Sequence, residues 1–259
     1  MGFLRAAFDN FVSLILPSRC VICDDSVDPS AHSPLCIRHV REIIPVEPPV
    51  CSTCGRKMFG ESVERLVCAR CRSTRTDYDA GYSAYIYADA LRELVHLFKY
   101  RKRRYLGPFL GRLLLKYVRE HADGFPYDAI VPVPLHWWRY CSRGFNQAAD
   151  LARPLSKQLR IPILKRSLRR VRYTRPQINL SPEERRSNIR NAFKVSRPAS
   201  VAGKKLLLLD DVITTGATLN ECARVLKKAG SATVTIVTLA HPSDFPSRPD
   251  ESSFPGGQP

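Results

Sequence analysis

Asp210 and Asp211 stand together directly after four leucines, Leu206 to Leu209. They directly precede the stretch Val212, Ile213, Thr214, Thr215, Gly216, Ala217 and Thr218. Two adjacent carboxylates repel a phosphate, but an ionised carboxylate is acceptor-only and takes hydrogen bonds from neighbouring hydroxyls. The Thr-Thr-Gly-Ala-Thr turn offers the complementary half. Its backbone N–H groups and hydroxyls, at the positive end of a helix, form a cradle for a phosphate, and Gly216 relieves the tight turn. A diol held beside a phosphate describes a phosphorylated ribose. Capping the helix alone would need one acid, not two.

The flanking elements must hold those groups in place. Four consecutive leucines predict a strand buried on both faces, as in parallel sheets. Leu219 to Lys228 reads as the helix that follows, with Gly230 as its stop. The β-branched run Ala232 to Thr238 reads as the returning strand. This is a βαβ unit with its chemistry at the carboxyl end of a strand, where open α/β sheets bind ligands. The expected fold class is α/β, a parallel sheet flanked by helices.

A second strand, Tyr127 to Val131, runs into the stiff turn Pro132-Val133-Pro134-Leu135. Arg139, Arg143, Gly144, Phe145 and Asn146 then introduce a helix at Gln147, which makes a second anion site. A third segment runs from Arg169 through Tyr173 and Gln177 to Arg185, Asn188 and Phe193. It is too polar for a core and reads as a basic flap able to close over a leaving group. The formal charge is +17. Between positions 135 and 200 there are sixteen Lys or Arg against Asp150, Glu183 and Glu184, and a second cluster runs from Lys99 to Arg104. A polyanion is the partner such a surface calls for. Tyr100, Tyr105, Trp137 and Trp138 could stack bases, although the two tryptophans read better as partly buried packing residues.

The nine cysteines are spaced for metal rather than for disulfides. Cys20-x2-Cys23 is followed by Cys36-x2-His39, and Cys51-x2-Cys54 by Cys68-x2-Cys71. Each set supplies four ligands from two short turns, as a closed, structural tetrahedral zinc site requires. The spacing leaves open whether His39 ligates and whether the sets pair in this order or crossed. Cys141 and Cys222 stand alone and read as ordinary thiols.

Three regions follow from these patterns. Residues 1–76 hold an amphipathic N-terminal helix, expected to pack on its own protein, and the metal knuckles. Residues 77–240 alternate strands and helices, with one helical face on Leu91, Leu94, Val95 and Phe98 and another on Leu110, Leu113, Leu114, Tyr117 and Val118. Residues 241–259, rich in Pro and Ser, are expected to be disordered. No apolar run approaches the length of a membrane span, and the N-terminus lacks the pattern of a secretory signal. The expected location is cytoplasmic.

The Asp210–Thr218 string resembles the phosphoribosyl-pyrophosphate (PRPP) loop of type I phosphoribosyltransferases. A longer ordered set includes the Cys-x2-Cys knuckles, Phe98-Lys99-Tyr100, Val131-Pro132-Val133-Pro134-Leu135 and Arg143-Gly144-Phe145-Asn146-Gln147. It continues through Gln177, Arg185-x2-Asn188 and Ala192-Phe193. Together these resemble the ComF (GntX) family, a double zinc-ribbon domain followed by a type I phosphoribosyltransferase-like domain. His39 departs from the cysteine that relatives often carry.

The resemblance implies a part in natural competence, the handling of incoming single-stranded DNA, with competence helicase machinery as a partner. It also implies PRPP with Mg2+ and two structural Zn2+. Asp210, Asp211 and Arg143 would then be the catalytic residues. Val212 to Thr218, Pro132, Val133, Pro134 and Arg185 would bind PRPP. Purine-salvage relatives place an acidic base at the position of Thr214, so the acceptor stays open. So do two non-catalytic alternatives, a nucleic-acid-binding competence factor and a PRPP-sensing regulator.

Overall fold

The computed structural model describes residues 19–58, 66–101, 103–121, 127–174 and 181–242. The expected N-terminal helix, Gln177 and positions 243–259 of the tail lie outside the described residues. In chain order the helices are α1 Ile37–Arg41, α2 Ala69–Ser73, α3 Asp89–Tyr100, α4 Gly107–His121, α5 Trp137–Arg143, α6 Gln147–Leu159, α7 Pro182–Ile189 and α8 Ala217–Lys228. The strands are β1 Ala80–Ile86, β2 Ala129–Pro132, β3 Leu168–Arg170, β4 Phe193–Val195, β5 Lys205–Val212 and β6 Thr233–His241.

Four strands form one parallel sheet in the order β1-β6-β5-β2. The four leucines of β5 explain its central place. Leu207 and Leu209 pack with Leu94, Phe98, Leu110 and Leu151 of α3, α4 and α6. Leu206 and Leu208 pack with Leu219, Cys222 and Leu226 of α8 on the opposite face. Side chains alternate across a strand, so a strand covered by helices on both faces needs an unbroken apolar run. Each buried leucine contributes roughly 2 kcal/mol of transfer free energy.

The helical face expected on α3 forms as read, and the one on α4 does so except at Leu113, which is only partly buried. Leu91, Leu94, Val95 and Phe98 are all buried on α3, and Leu110, Leu114, Tyr117 and Val118 on α4. Gly111 lets α4 approach α6, because a Cβ there would sit 2.7 Å from a ring carbon of Pro154. α8 ends as expected, with Gly230 at φ +90°.

The cysteine-bearing segment is built onto this sheet. Its Val46 N–H donates to the Ala84 carbonyl and accepts register from β1, while Ile86 N–H donates to Ile44. Gly55 and Gly81 let the second knuckle meet β1 backbone to backbone. A Cβ on Gly55 would come within 2.6 Å of the Gly81 carbonyl, and one on Gly81 within 2.9 Å of Cys54 Cα. Cys20, Leu35, Cys36 and Val46 share the apolar cluster of α3 and α4, and Cys51, Cys54 and Cys68 share that of α8.

Candidate functional site

β2 and β5 are neighbours, so both predicted loops leave the sheet side by side. Val133 N–H donates to the Leu209 carbonyl (2.9 Å), which sets the proline turn against the acids. Between them lies a cavity of about 550 Å³, lined by Asp210 to Leu219, Val133, Pro134, Leu135, Arg139, Arg143, Asn146, Gln147, Lys99, Tyr100, Arg170 and Arg185. The cavity therefore gathers the expected loop residues Val212 to Thr218 with Asp210, Asp211, Arg143 and Arg185. Pro132 is the exception. It closes β2, buried in the sheet, and stiffens the turn without lining the cavity.

The turn expected to cradle a phosphate opens α8 as its residue types predict. Gly216 takes φ +73° as the N-cap of α8, a conformation side-chain-bearing residues resist. Ile213 N–H donates to the Ala240 carbonyl, tying the loop's start to β6. From the metal-bearing segment, Arg70 donates a guanidinium hydrogen bond to the Thr214 carbonyl.

The two acids are not equivalent. Asp211 Oδ1 lies 3.0 Å from Lys99 Nζ and accepts the Val212 N–H at 2.7 Å. Its partner Asp210 accepts the Asp211 N–H at 2.9 Å through Oδ1. Asp210 keeps part of its surface open to the cavity but is otherwise enclosed by protein. Burial first, and then the Asp211 charge, push its carboxyl up to about 7. Burial opposes the charge of Lys99, but Asp211 and Asp210 outweigh it and raise its pKa. The sequence reading missed the role of Lys99, and the signal was available. Lys99 lies four residues after Val95, which puts a lysine on the edge of the buried stripe of α3. Replacing it should strand Asp211 as a buried unpaired charge. Lys99→Met is expected to lower stability by about 3 kcal/mol near neutral pH, checked by urea denaturation.

The cations are held in place by their own contacts. Arg143 donates to Gln147 Oε1 (3.2 Å) and stacks its guanidinium 5.0 Å from the Tyr100 ring centre. Gly144, at φ +78°, ends α5, and Asn146 both caps α6 through Ala149 N–H and donates to the Val133 carbonyl at 3.0 Å. Arg170 donates to Thr174 and lies over Phe193. Burial, together with the charge of Arg139, pulls its pKa down to about 10. Among the described residues, two donors on this wall lack a protein partner, Gln147 Nε2 and Arg170 Nε, although Gln147 is only 1% exposed. A buried unsatisfied donor costs about 1–3 kcal/mol, a cost that an anion or hydroxyl in the cavity would relieve.

The metal ligands assemble uncrossed as Cys20, Cys23, Cys36 and His39, and as Cys51, Cys54, Cys68 and Cys71. His39 belongs to its set, with Nδ1 3.3 Å from both Cys20 Sγ and Cys36 Sγ. Cys23–Cys36 and Cys54–Cys68 sulfurs are each 3.8 Å apart. Zn–S bonds of about 2.3 Å place sulfurs about 3.8 Å apart along a tetrahedron's edge, so both sets fit zinc. Cys68 N–H donates to Cys51 Sγ, an outer-shell hydrogen bond that orients the ligand.

Outside the cavity the structure corrects one expectation. Trp137 and Trp138 are 57% and 59% exposed and stack on each other with ring centres 4.4 Å apart. They sit on α5, a short helix whose far end supplies Arg143, so packing did not claim them.

Residues 11–72 match the double zinc ribbon domain family, and residues 141–255 match the phosphoribosyl transferase domain family. Competence protein F of Haemophilus influenzae is 34% identical over 74% of this chain and 84% of its own length. The DNA utilization protein YhgH of Salmonella typhi is 36% identical over 79% and 88%. Competence protein ComFC of Bacillus subtilis is 29% identical over 73% and 77%. With the zinc knuckles, the parallel sheet and the acid-pair loop all in their expected order, the chain belongs to the ComF family, in which a double zinc ribbon precedes a phosphoribosyltransferase-like domain.

Proposed function

We propose that the protein binds PRPP with Mg2+ and transfers its phosphoribosyl group, in the handling of single-stranded DNA during competence. The reading rests chiefly on the charge plan of the cavity. Lys99, Arg139, Arg143, Arg170 and Arg185 face two acids, and the buried donors of Gln147 and Arg170 await a polar ligand. The remaining carboxylate oxygens of Asp210 and Asp211 would accept the ribose 2′- and 3′-hydroxyls. The Thr214–Thr218 turn would hold the 5′-phosphate.

The Val133–Pro134 turn with Arg143 would then face the pyrophosphate. As the C1–oxygen bond breaks, pyrophosphate leaves with the electron pair and the nucleophile bonds to C1. Arg143, Arg170 and Arg185 stabilise the leaving charge, so the contribution is positioning and electrostatics. Mg2+ would neutralise the charge of the phosphate oxygens when it arrives with PRPP, next to Asp210. The relatives' names supply the biological setting, since they are called competence and DNA utilization proteins.

A second reading, PRPP-dependent binding of single strands without turnover, is favoured by the exposed Trp137–Trp138 stack on α5, which also carries exposed Tyr140. Calorimetry with Mg2+ and PRPP separates these readings from none. The native protein should bind, and the variant carrying Asp210→Asn with Asp211→Asn should bind at least 100-fold more weakly; equal affinity would remove the site. Pyrophosphate release in the presence of a metabolite extract favours transfer. Its absence, together with single-strand binding that weakens steeply with salt and on Trp137→Ala with Trp138→Ala, favours the binding reading.

A further inference from the structure

The loop that forms the PRPP cradle has a second side. Across Thr215, Gly216 and Ala217 from the first cavity lies another, of about 490 Å³, in the seam between the second zinc knuckle and helices α7 and α8. We propose that this seam is a second ligand site, for the phosphate-bearing end of a nucleotide. The proposal does not depend on PRPP occupying the first cavity.

Four arginines line the seam, from three helices. Arg70 comes from α2, Arg186 from α7, Arg190 from the residue that ends α7, and Arg224 from α8. The one carboxylate among the described lining residues, Glu221, is already engaged. Arg224 holds it at 2.7 and 2.8 Å, and the Asn191 N–H donates to it at 2.8 Å. Among the described residues no carboxylate pairs with Arg190. The Glu221 contacts occupy the Arg224 fork, and Arg70 holds the Thr214 carbonyl, so a phosphate would meet Arg186 and Arg190 first, in the fork geometry a guanidinium offers it.

Size and wall chemistry argue for more than an inorganic anion. The volume lies in the range of small-molecule sites, which combine apolar walls with a few placed polar groups. Tyr78, Ile189 and Ala217 supply the apolar wall. The ring and chain carbons would face a base or sugar, and the arginines its phosphate.

The seam is also tied to the first cavity by construction. Neighbouring residues of α7 divide between the two, with Arg185 lining the first cavity and Arg186 the second. Arg70 lines the seam while its guanidinium holds the Thr214 carbonyl of the shared loop. Gly216, whose added Cβ would stand 3.8 Å from the Arg70 guanidinium, keeps the partition one backbone thick. A nucleotide drawing on Arg70 and Arg186 would therefore act on the same loop that cradles the first ligand.

Calorimetry on the zinc-loaded full chain tests this with three probes: thymidine 5′-monophosphate, thymidine, and oligothymidylate bearing a 5′-phosphate. Thymidine monophosphate should bind at least tenfold more tightly than thymidine. Arg190→Glu should weaken it at least tenfold, and Arg186→Glu, at a second exposed position, should do the same. Asp210→Asn with Asp211→Asn should leave it unchanged. Tighter binding of the phosphorylated oligonucleotide would identify a strand end as the source of the phosphate, and equal or weaker binding a free nucleotide. The site is overturned if both arginine variants bind like the native protein, if thymidine binds as well as its phosphate, or if the double aspartate variant loses the nucleotide.

Discussion

Stripping zinc from this protein should weaken PRPP binding at least 30-fold as well as unfold its two metal knuckles. The two metal sets lie far in sequence from the acid-pair loop, but the second knuckle is packed against it. Arg70, between ligands Cys68 and Cys71, holds the Thr214 carbonyl. Asn220, in the first turn of α8, exchanges two hydrogen bonds with Asp77, at 2.7 and 3.0 Å, just past the knuckle. Gly55 meets the backbone of β1 at Gly81, and Lys57 N–H donates to His241 at the end of β6.

A structural zinc site is worth about 10–16 kcal/mol of apparent binding free energy in small domains, as much as or more than the roughly 5–15 kcal/mol that holds a whole domain folded. Its loss would release these contacts together and bare the open edge of β1. The expected result of chelation, or of Cys54→Ser with Cys68→Ser, is a fall in the thermal midpoint of at least 10 °C and a loss of PRPP binding of at least 30-fold. Metal content, circular dichroism and calorimetry on one sample would check it. A zinc-free protein that binds PRPP with native affinity would show that the knuckle does not position the loop.

Much of this was legible in the sequence because it is local. The spacing of the cysteines, the leucine run of β5 and the stop at Gly230 each follow from short-range rules of geometry. That the acid pair and the threonine turn share one cavity was readable for the same reason, since both stand at one strand-to-helix junction. Residues recruited across the fold were not. Lys99 reaches Asp211 from a helix over a hundred positions earlier, and Arg70 reaches Thr214 from a metal knuckle.

Gly55 takes φ +71° in the turn after Cys54. Its second duty, clearing the path to Gly81, depends on a docking that no local pattern encodes. The tryptophans show the converse error. Apolar type predicted partial burial, yet α5 is a short helix with no buried residue. Large apolar residues left exposed beside a polar site point to binding rather than packing.

Asp210→Asn should make the protein more stable while disabling it, and the gain should grow with pH. In the folded chain the Asp210 carboxyl titrates near 7, against 3.8 for an unperturbed group, because burial and then Asp211 disfavour its charge. Between those values the native state holds a proton that the unfolded chain has released, so stability falls as pH rises from about 4 to about 7 and levels off above. A shift of about three units corresponds to an upper figure of about 4 kcal/mol at ~1.4 kcal/mol per unit. An amide that meets the same neighbours imperfectly would recover roughly half of it.

The expected profile is therefore equal stability of variant and native protein near pH 4. By pH 8 the variant should lead by about 2–4 kcal/mol, read from urea titrations at each pH. Asp211→Asn provides the contrast. It leaves Lys99 buried without its partner, so it should destabilise near neutral pH while Asp210→Asn stabilises. The two substitutions act on adjacent residues of one strand, both should cripple PRPP binding, and they part only in the sign of their effect on folding. A buried acid kept at the carboxyl end of β5 against the demands of stability is what the proposed ligand site would cost the fold. If Asp210→Asn instead destabilises across the whole range, the carboxylate is a structural hydrogen-bonding group, and its place in the sugar-binding pair fails with it.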